Sequence, residues 1–236
     1  MALDDLPGPV VNLLNVLGIP WPYIDESAVS EFADLTRRFG RAVETTHQDG
    51  TKAVSGVAAA YSSASSERMK DGWTRLTARH VTEIQDGCEV LAAALDAAAS
   101  YIVLQKGEAV AELIGMAAAF VGAQAAAVET VGISEAAVPL IIKGAEKIVA
   151  SLVADLQQFI LARVVEAGLT PLMGKVEDAL AGLDWSQPGA DTASRGSGLE
   201  LDAPGALAHA QALDQYSEEM RGHAQVFAAG IRKLAF

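Results

Sequence analysis

Apolar residues recur every three or four positions along most of this chain, which is the spacing of one face of an α-helix. A short stripe over residues 6–17 ends at Gly18, and the prolines of Ile-Pro-Trp-Pro (residues 19–22) then exclude helix. Trp21 lies between these prolines, so we expect it to be held in an extended elbow. Residues 25–27, Asp-Glu-Ser, supply capping side chains and negative charge for the next helix.

Two longer apolar stripes predict a helical hairpin. The first covers residues 29–61 and the second covers residues 69–102, with most steps three or four residues long. Polar and small residues at positions 46–51 interrupt the first stripe, so we expect a bend or looser packing there while the helix continues. Tyr61-Ser62-Ser63 begins a serine-rich turn, and the second helix is expected to continue to about Val131.

Three further helices complete the pattern, and no segment alternates apolar and polar residues as a strand would. They are expected over residues 134–167, 172–183 and 204–234, and residues 186–198 have the Gly, Ser and Asp content of a flexible linker. The predicted fold is all-α, an elongated helical hairpin packed with further long helices as a bundle. Its predicted parts are a helical domain at 1–185, a linker at 186–203 and a C-terminal amphipathic helix at 204–236.

Composition and charge narrow the function. Apolar residues make up 51% of the chain and aromatic residues only 6%, so alanine supplies much of the apolar content and favours closely packed helices. A net charge of −13 excludes nucleic-acid binding, which needs Lys and Arg against phosphates, and disfavours docking on anionic membranes. No apolar run reaches about 18 residues without a charge, so we expect membrane contact to be conditional rather than constitutive. The acidic N-terminus is unlike a Sec signal.

The chain offers no motif for catalysis or metal binding. Its four histidines lack ligand spacing, and no His-x-x-x-His or Cys-x-x-Cys pair occurs. His80 lies on the stripe of the second long helix, where a core or interface histidine is expected rather than a ligand. Cys88 shares that stripe, so we expect a buried thiol and not a nucleophile. We therefore predict no enzyme, no cofactor and no metal.

The hairpin with aromatic residues near its turn resembles the Trp-x-Gly (WXG100-like) family of type VII secretion substrates. Tyr61-Ser62-Ser63 stands where the family has Trp-x-Gly, and Trp73 falls on the next helix, where the family often has a large aromatic residue. The Ile-Pro-Trp-Pro opening is similar to a narrower group, the N-terminal domains of actinobacterial toxins, including the mycobacterial channel-and-necrotizing-toxin protein. The resemblance covers about residues 3–185.

The resemblance implies a partner. Tyr and Ser replace the Trp and Gly of the family turn, and none of the four tyrosines begins the Tyr-x-x-x-Asp/Glu export signal. The family logic then implies a small helical WXG100-like protein that forms a hetero-oligomer with this chain and supplies the signal to the secretion ATPase. We expect the partner and the turn to involve Trp21, Phe32, Phe39, Tyr61, Ser63, Trp73 and Leu76. The alternative is that the hairpin simply closes on the later helices of the same chain.

Three functions remain open from the sequence. The first is a non-enzymatic type VII targeting domain, made in the cytoplasm and exported by a non-Sec route, which delivers a toxin or effector. The second is a conditional membrane-inserting or pore-forming module built from residues 113–128 and 138–153. The third is a cytoplasmic helical scaffold or binder. Residues 201–234 resemble the first helix of another hairpin cut short, so the chain is expected to be either a fragment that precedes a toxin or a standalone member.

Overall fold

The computed structural model describes residues 5–60, 64–129, 134–181 and 202–234. These residues form six α-helices and one π-helical segment, with no strand among them. The helices are α1 (Gly8–Leu17), α2 (Glu26–Ala60), α3 (Ala64–Glu129), α4 (Ser134–Phe159), α5 (Thr170–Ala181) and α6 (Ala203–Lys233), and the π segment (Ile160–Leu169) joins α4 to α5. The prediction of an all-α helical bundle is confirmed.

Local chemistry sets the ends of the first two helices. The backbone of Gly18 has a φ of 68°, a left-handed conformation that glycine adopts without strain, and its N–H donates to the carbonyl of Asn15 at 3.3 Å. The elbow, residues 19–25, follows directly. Asp25 then caps α2, because its Oδ1 accepts a hydrogen bond from the N–H of Ser27 at 2.8 Å. The predicted capping role of Asp25 is confirmed.

The chain divides into two compact units, of which the first consists of Met1–Glu31, Ala94–Glu166 and Leu234–Phe236. Its core takes one apolar stripe from each of α1, α3 and α4, which removes those stripes from water. Tyr101 of α3 also stacks on Phe159 of α4, with ring centroids 4.0 Å apart. The buried side chains of this core include Val10, Leu13, Leu14, Ile102, Leu113, Leu152 and Leu156.

The second unit consists of Phe32–Ala93 and Ala167–Lys233. Its two long helices approach closely at Gly40, where an added Cβ would lie 3.0 Å from Cβ of Cys88. The short distance explains why glycine, and not a larger residue, stands on the apolar stripe of α2 at this point. The buried residues of the unit include Val43, Val54, Cys88 and Leu91, all on the predicted stripes.

The polar middle of α2 is continuous helix, and its small residues make room for a tryptophan. A Cβ at Gly50 would lie 3.1 Å from Cζ2 of Trp73. Nε1 of Trp73 donates to Oγ1 of Thr51 at 2.9 Å, and the indole stacks on the ring of His47, with centroids 5.8 Å apart. The interruption of the apolar stripe is therefore the place at which α3 packs its largest side chain.

The gap predicted between the helices at 134–167 and 172–183 is helical in the structure. Instead, α4 passes into the π segment, whose turns are wider than those of an α-helix, and α5 begins at Thr170 directly after it. Pro171 lies in the first turn of α5, where its missing N–H costs little. A change of helix type, rather than a break, thus accommodates the proline.

The other predicted helix ends agree with the observed ones to within about three residues, except that α3 begins at Ala64, five residues before the predicted stripe and inside the predicted serine-rich turn. The second long helix ends at Glu129 rather than at about Val131, and α6 begins at Ala203 rather than at Pro204. The turn predicted at residues 61–63 and nearly all of the linker predicted at residues 186–203 lie outside the described residues. The domain boundaries drawn from composition stay predictions.

Candidate functional site

The elbow buries one of its two aromatic residues. Trp21 retains 9% of its surface exposure, whereas Tyr23, two positions further on, retains 64%. The indole N–H of Trp21 is buried and has no acceptor among the described residues. A buried donor without a partner costs on the order of 1–3 kcal/mol, and within the described part of the chain the indole N–H of Trp21 is such a donor.

A groove of about 580 Å³ lies beside the elbow in the first unit. Its lining is mostly apolar, so it fits a hydrophobic side chain of a partner better than a charged group. Trp21 contributes to the lining, which places the most buried residue of the elbow next to the groove. The groove is lined by residues 17–22 and, from α4, by Glu146, Val149, Ala150, Val153, Ala154 and Gln157.

A buried lysine fixes the end of the elbow. Lys106 of α3 is fully buried; its Nζ lies 2.8 Å from Oε2 of Glu26 and donates to the carbonyl oxygen of Ile24. Burial by itself raises the pKa of Glu26, but hydrogen bonds, the largest contribution coming from Lys106, together with the charge of Lys106 outweigh it and hold that pKa at about 2. The Glu26 carboxyl is therefore ionised at neutral pH, and its contact with Lys106 anchors the first residue of α2.

In the second unit, α6 covers the aromatic face of α2. Phe39 stacks on Phe227, with ring centroids 4.8 Å apart and ring planes 20° apart, and the ring of Phe32 lies 6.4 Å from that of Phe227. Aromatic pairs at these distances are favourable beyond the area that they bury. Phe32 and Phe39, both predicted to meet a partner, therefore contact the C-terminal helix of their own chain.

The remaining contacts show that α6 runs antiparallel to α2, because residue numbers fall on α6 as they rise on α2. Gly230 faces Leu35, Nε2 of His223 lies 3.0 Å from Oγ1 of Thr46, the ring of His209 faces Gly56, and the N–H of Asp202 donates to the carbonyl of Ala60 at 3.0 Å. Together with the Phe227 contacts they define the α2–α6 seam.

The α2–α6 seam has the seven-residue spacing of a coiled coil. On α2, Phe32, Phe39 and Thr46 are seven residues apart, and the same spacing relates the α6 residues His209, Tyr216, His223 and Gly230. Such a seam is most stable when Leu, Ile or Val fills these positions, and here His, Thr and Gly take several of them. None of residues 203–233 is buried, so α6 lies on the second unit by half-buried contacts alone.

Comparison with protein-family models matches residues 4–145 to the WXG100 like domain. The match covers more than half of the 236 residues and includes α1, α2 and α3. The chain belongs to the WXG100-like domain family. It is accordingly a helical protein associated with type VII secretion. Comparisons with curated proteins and with solved structures return no match.

The predicted site residues of this WXG100-like chain fall in both units. Trp21 belongs to the first unit, and Phe32, Phe39 and Trp73 belong to the second. Phe32 and Phe39 contact α6, whereas Trp73 contacts the middle of α2. Tyr61 and Ser63 lie outside the described residues, as does the side chain of Leu76. The partner-binding role of these residues stays a prediction.

The α6 side of the seam was not predicted from the sequence. Phe227, His223 and His209 touch α2, but the C-terminal helix was read as a separate element behind a linker. The signal that would have revealed them is the seven-residue spacing of His209, Tyr216, His223 and Gly230. That spacing identifies a seam without identifying the helix on its other side.

The histidine, cysteine and acidic side chains of the WXG100-like chain are its candidates for metal binding or catalysis. Among the described residues, no group of three or more His, Cys, Asp or Glu side chains could hold a metal ion. Burial raises the pKa of Cys88 to about 11, so its thiol is protonated at neutral pH, and the prediction of a buried thiol is confirmed. His80 is half-buried, with Nδ1 3.9 Å from Oε2 of Glu83.

Two helical stretches, His80–Ala125 and Val138–Glu177, are long and apolar enough to cross a membrane by length and composition alone. In the first, 44% of the most apolar window is buried, as core helices of soluble proteins also show. In the second, only 17% of the window is buried. Of these two stretches in the described part of the chain, the second is therefore the more exposed apolar surface.

Proposed function

We propose that this WXG100-like chain is a non-enzymatic secretion-targeting domain, which binds small helical partner proteins and carries a toxin or effector through a type VII apparatus. The observation that carries the proposal is the family match over residues 4–145, which includes the long helices α2 and α3. The toxin context rests on the likeness of the Ile-Pro-Trp-Pro elbow to the N-terminal domains of actinobacterial toxins.

The export signal is proposed to come from the partner. The tyrosines at positions 23, 61, 101 and 216 are followed four residues later by Ser27, Ser65, Gln105 and Met220, none of which is acidic. A partner that presents its own acidic signal to the secretion ATPase would have to travel with the chain as a hetero-oligomer. The elbow groove and the aromatic face of α2 are the surfaces that suit such a helical partner.

Co-expression tests partner binding. The full chain would be produced together with small helical proteins encoded beside its gene and analysed by size-exclusion chromatography with light scattering. We expect co-elution with at least one neighbour at a fixed stoichiometry. A well-folded monomer that ignores every such neighbour would contradict the proposal.

Export is tested with a reporter fused after Phe236 in a host that has a type VII system. We expect the reporter in the culture supernatant when the partner is co-expressed. The matched control is the same host with an inactive secretion ATPase, which should retain the reporter in the cell. Equal release from both strains, or retention in both despite bound partner, would rule out the proposed route.

A second candidate function is a conditional membrane-inserting or pore-forming module. It is favoured by the exposure of the stretch Val138–Glu177, where Leu140, Leu161 and Met173 keep 72%, 58% and 49% of their surface exposed. Exposed apolar side chains on one helical stretch mark a surface that other molecules or a bilayer can cover.

Dye release from lipid vesicles decides between the two candidates. A pore-forming module would release a trapped dye at neutral or acidic pH, and Leu161→Glu would reduce the release because it places a charge on the exposed apolar stretch. The control is Lys147→Glu, which replaces one charged side chain with another at an exposed position of α4. No release from neutral or anionic vesicles at either pH would remove this candidate.

A further inference from the structure

We propose that α6 is an intramolecular occupant of the partner-binding face of α2, and that a partner helix displaces it when the two proteins assemble. This inference rests on the proposed partner-binding function. It identifies the seam that the partner uses, the chemistry that the partner must present, and the element of this chain that regulates access.

The first reason is the position of α6 relative to the family match. Phe32, Phe39 and Thr46 lie within residues 4–145, whereas every residue of α6 lies outside them. The helix that covers the aromatic face of α2 is thus not part of the family domain. A face within the matched residues is covered by an element that lies outside them.

The second reason is that the residues of the α2–α6 seam fix the register of the two helices but stabilise their pairing weakly. His223 on Thr46 and His209 on Gly56 put polar or small groups at heptad positions, which fix the pairing at a cost in stability. The ring of His209 fits only because Gly56 lacks a Cβ, which would lie 2.4 Å from that ring. Because no residue of α6 is buried, a helix with a more apolar stripe would bind the same seam more tightly.

The third reason is that α6 shows what the seam accepts. The occupant must be an amphipathic helix antiparallel to α2, with an aromatic residue at the level of Phe227 to stack on Phe39. It needs a small residue three positions later, as Gly230 provides beside Leu35, and a polar group four positions earlier, as His223 provides for Thr46. We therefore infer that the partner helix has this polar–aromatic–small pattern and carries apolar residues at its other heptad positions.

The test uses the α6 sequence itself as the probe. A fluorescent peptide of residues 202–234 is titrated into the full chain, and its dissociation constant is measured by anisotropy. Phe227→Ala in the full chain weakens the internal occupant and leaves α2 unchanged. We expect this variant to bind the peptide about tenfold more tightly than the wild type does, because the competing helix is weakened while the seam is intact.

Matched variants separate the explanations. Gly222→Ala also changes α6, but its added Cβ meets nothing within 4 Å and raises helix propensity, so this variant should bind the peptide no more tightly than the wild type does. His223→Ala is a second way to weaken α6, and it should also raise peptide affinity. Phe39→Ala added to Phe227→Ala removes the stacking surface on α2 and should abolish the gain. Hydrogen exchange checks that amides of α6 exchange faster while those of α1 stay protected.

Three results would overturn the proposal. The first is an unchanged peptide affinity in both Phe227→Ala and His223→Ala. The second is a gain that survives Phe39→Ala, since the peptide would then bind elsewhere. The third is a stable dimer of the wild-type chain in light scattering that dissociates on addition of the peptide, which would make a second copy the occupant. No partner protein enters these measurements, so their failure and a failure of co-expression are separate outcomes.

Discussion

At the scale of single residues, the ion pair between Lys106 and Glu26 is the strongest constraint on the elbow. Lys106→Met removes the ammonium and its hydrogen bond to Ile24 but keeps most of the apolar stem. Breaking a buried pair costs roughly 3 kcal/mol, and we expect a loss of about 2 kcal/mol because the Glu26 side chain is 19% exposed. Urea unfolding followed by circular dichroism measures the loss. Lys147→Met, at an exposed site on α4, is the control and should change stability by less than about 0.5 kcal/mol.

The same pair makes a second prediction, for the dependence of stability on pH. The pKa of Glu26 falls from 4.5 to about 2 on folding, so the folded state binds fewer protons than the unfolded state in that range. The contribution of the pair is therefore complete above about pH 5 and is lost as the pH falls from about 4.5 towards 2. The difference in unfolding free energy between wild type and Lys106→Met should shrink across this window. A difference that stays constant down to about pH 3 would contradict the assignment.

Whether a residue could be predicted from sequence depended on how far away its partner lies. The capping role of Asp25 was predictable because the N–H groups that donate to its Oδ1, those of Ser27 and Ala28, lie within three residues of it. Burial of Cys88 was predictable because the thiol lies on an apolar stripe. The contact of Lys106 with Glu26, 80 positions apart, was not predictable, since nothing in a local pattern distinguishes this lysine from an exposed one.

At the scale of the helix, the middle of α2 offers a matched pair of glycines. Gly50→Ala raises helix propensity, but its Cβ would lie 3.1 Å from Trp73, which cannot yield easily because Thr51 and His47 hold it. We expect a net loss of about 1 kcal/mol. Gly72→Ala on α3 meets nothing within 4 Å, so it should stabilise by up to about 1 kcal/mol. Urea unfolding of both variants tests this, and a gain in both would mean that Trp73 moves freely.

The helices were predictable from their apolar spacing, but their pairing was not. The stripes of α2 and α3 predicted helices whose ends lie within about five residues of the observed ones, because a helix face is a local property of the sequence. The stripe on α2 that carries Phe32 and Phe39 indicates only that some helix covers it. Either a second protein or α6 can cover such a stripe. The apolar pattern alone therefore does not distinguish a partner from a later helix of the same chain.

At the scale of the whole molecule, the division into two units also lay beyond the sequence. Each unit combines segments that are far apart in the chain, and α2 and α3 each contribute residues to both. Composition marks linkers, but here the boundary between the units falls inside α2, α3 and the π segment, where the sequence carries no linker signal. The family, in contrast, could be inferred from the elbow and the hairpin, since those features follow one another along the first 145 residues.

Net charge makes the last prediction for the whole molecule. The net charge at neutral pH is −13, so the excess negative side chains repel one another in the compact state, and salt screens this repulsion. The Debye length falls from about 30 Å at 0.01 M salt to about 3 Å at 1 M, so we expect the unfolding free energy to rise by about 1 kcal/mol over that range of sodium chloride. Choline chloride should give the same rise, because screening depends on ionic strength and not on a bound sodium ion. Lys106→Met should rise in parallel with the wild type, since a buried pair is screened little. Stability that falls with salt would show that attractive surface pairs, and not net repulsion, dominate the electrostatics of this fold.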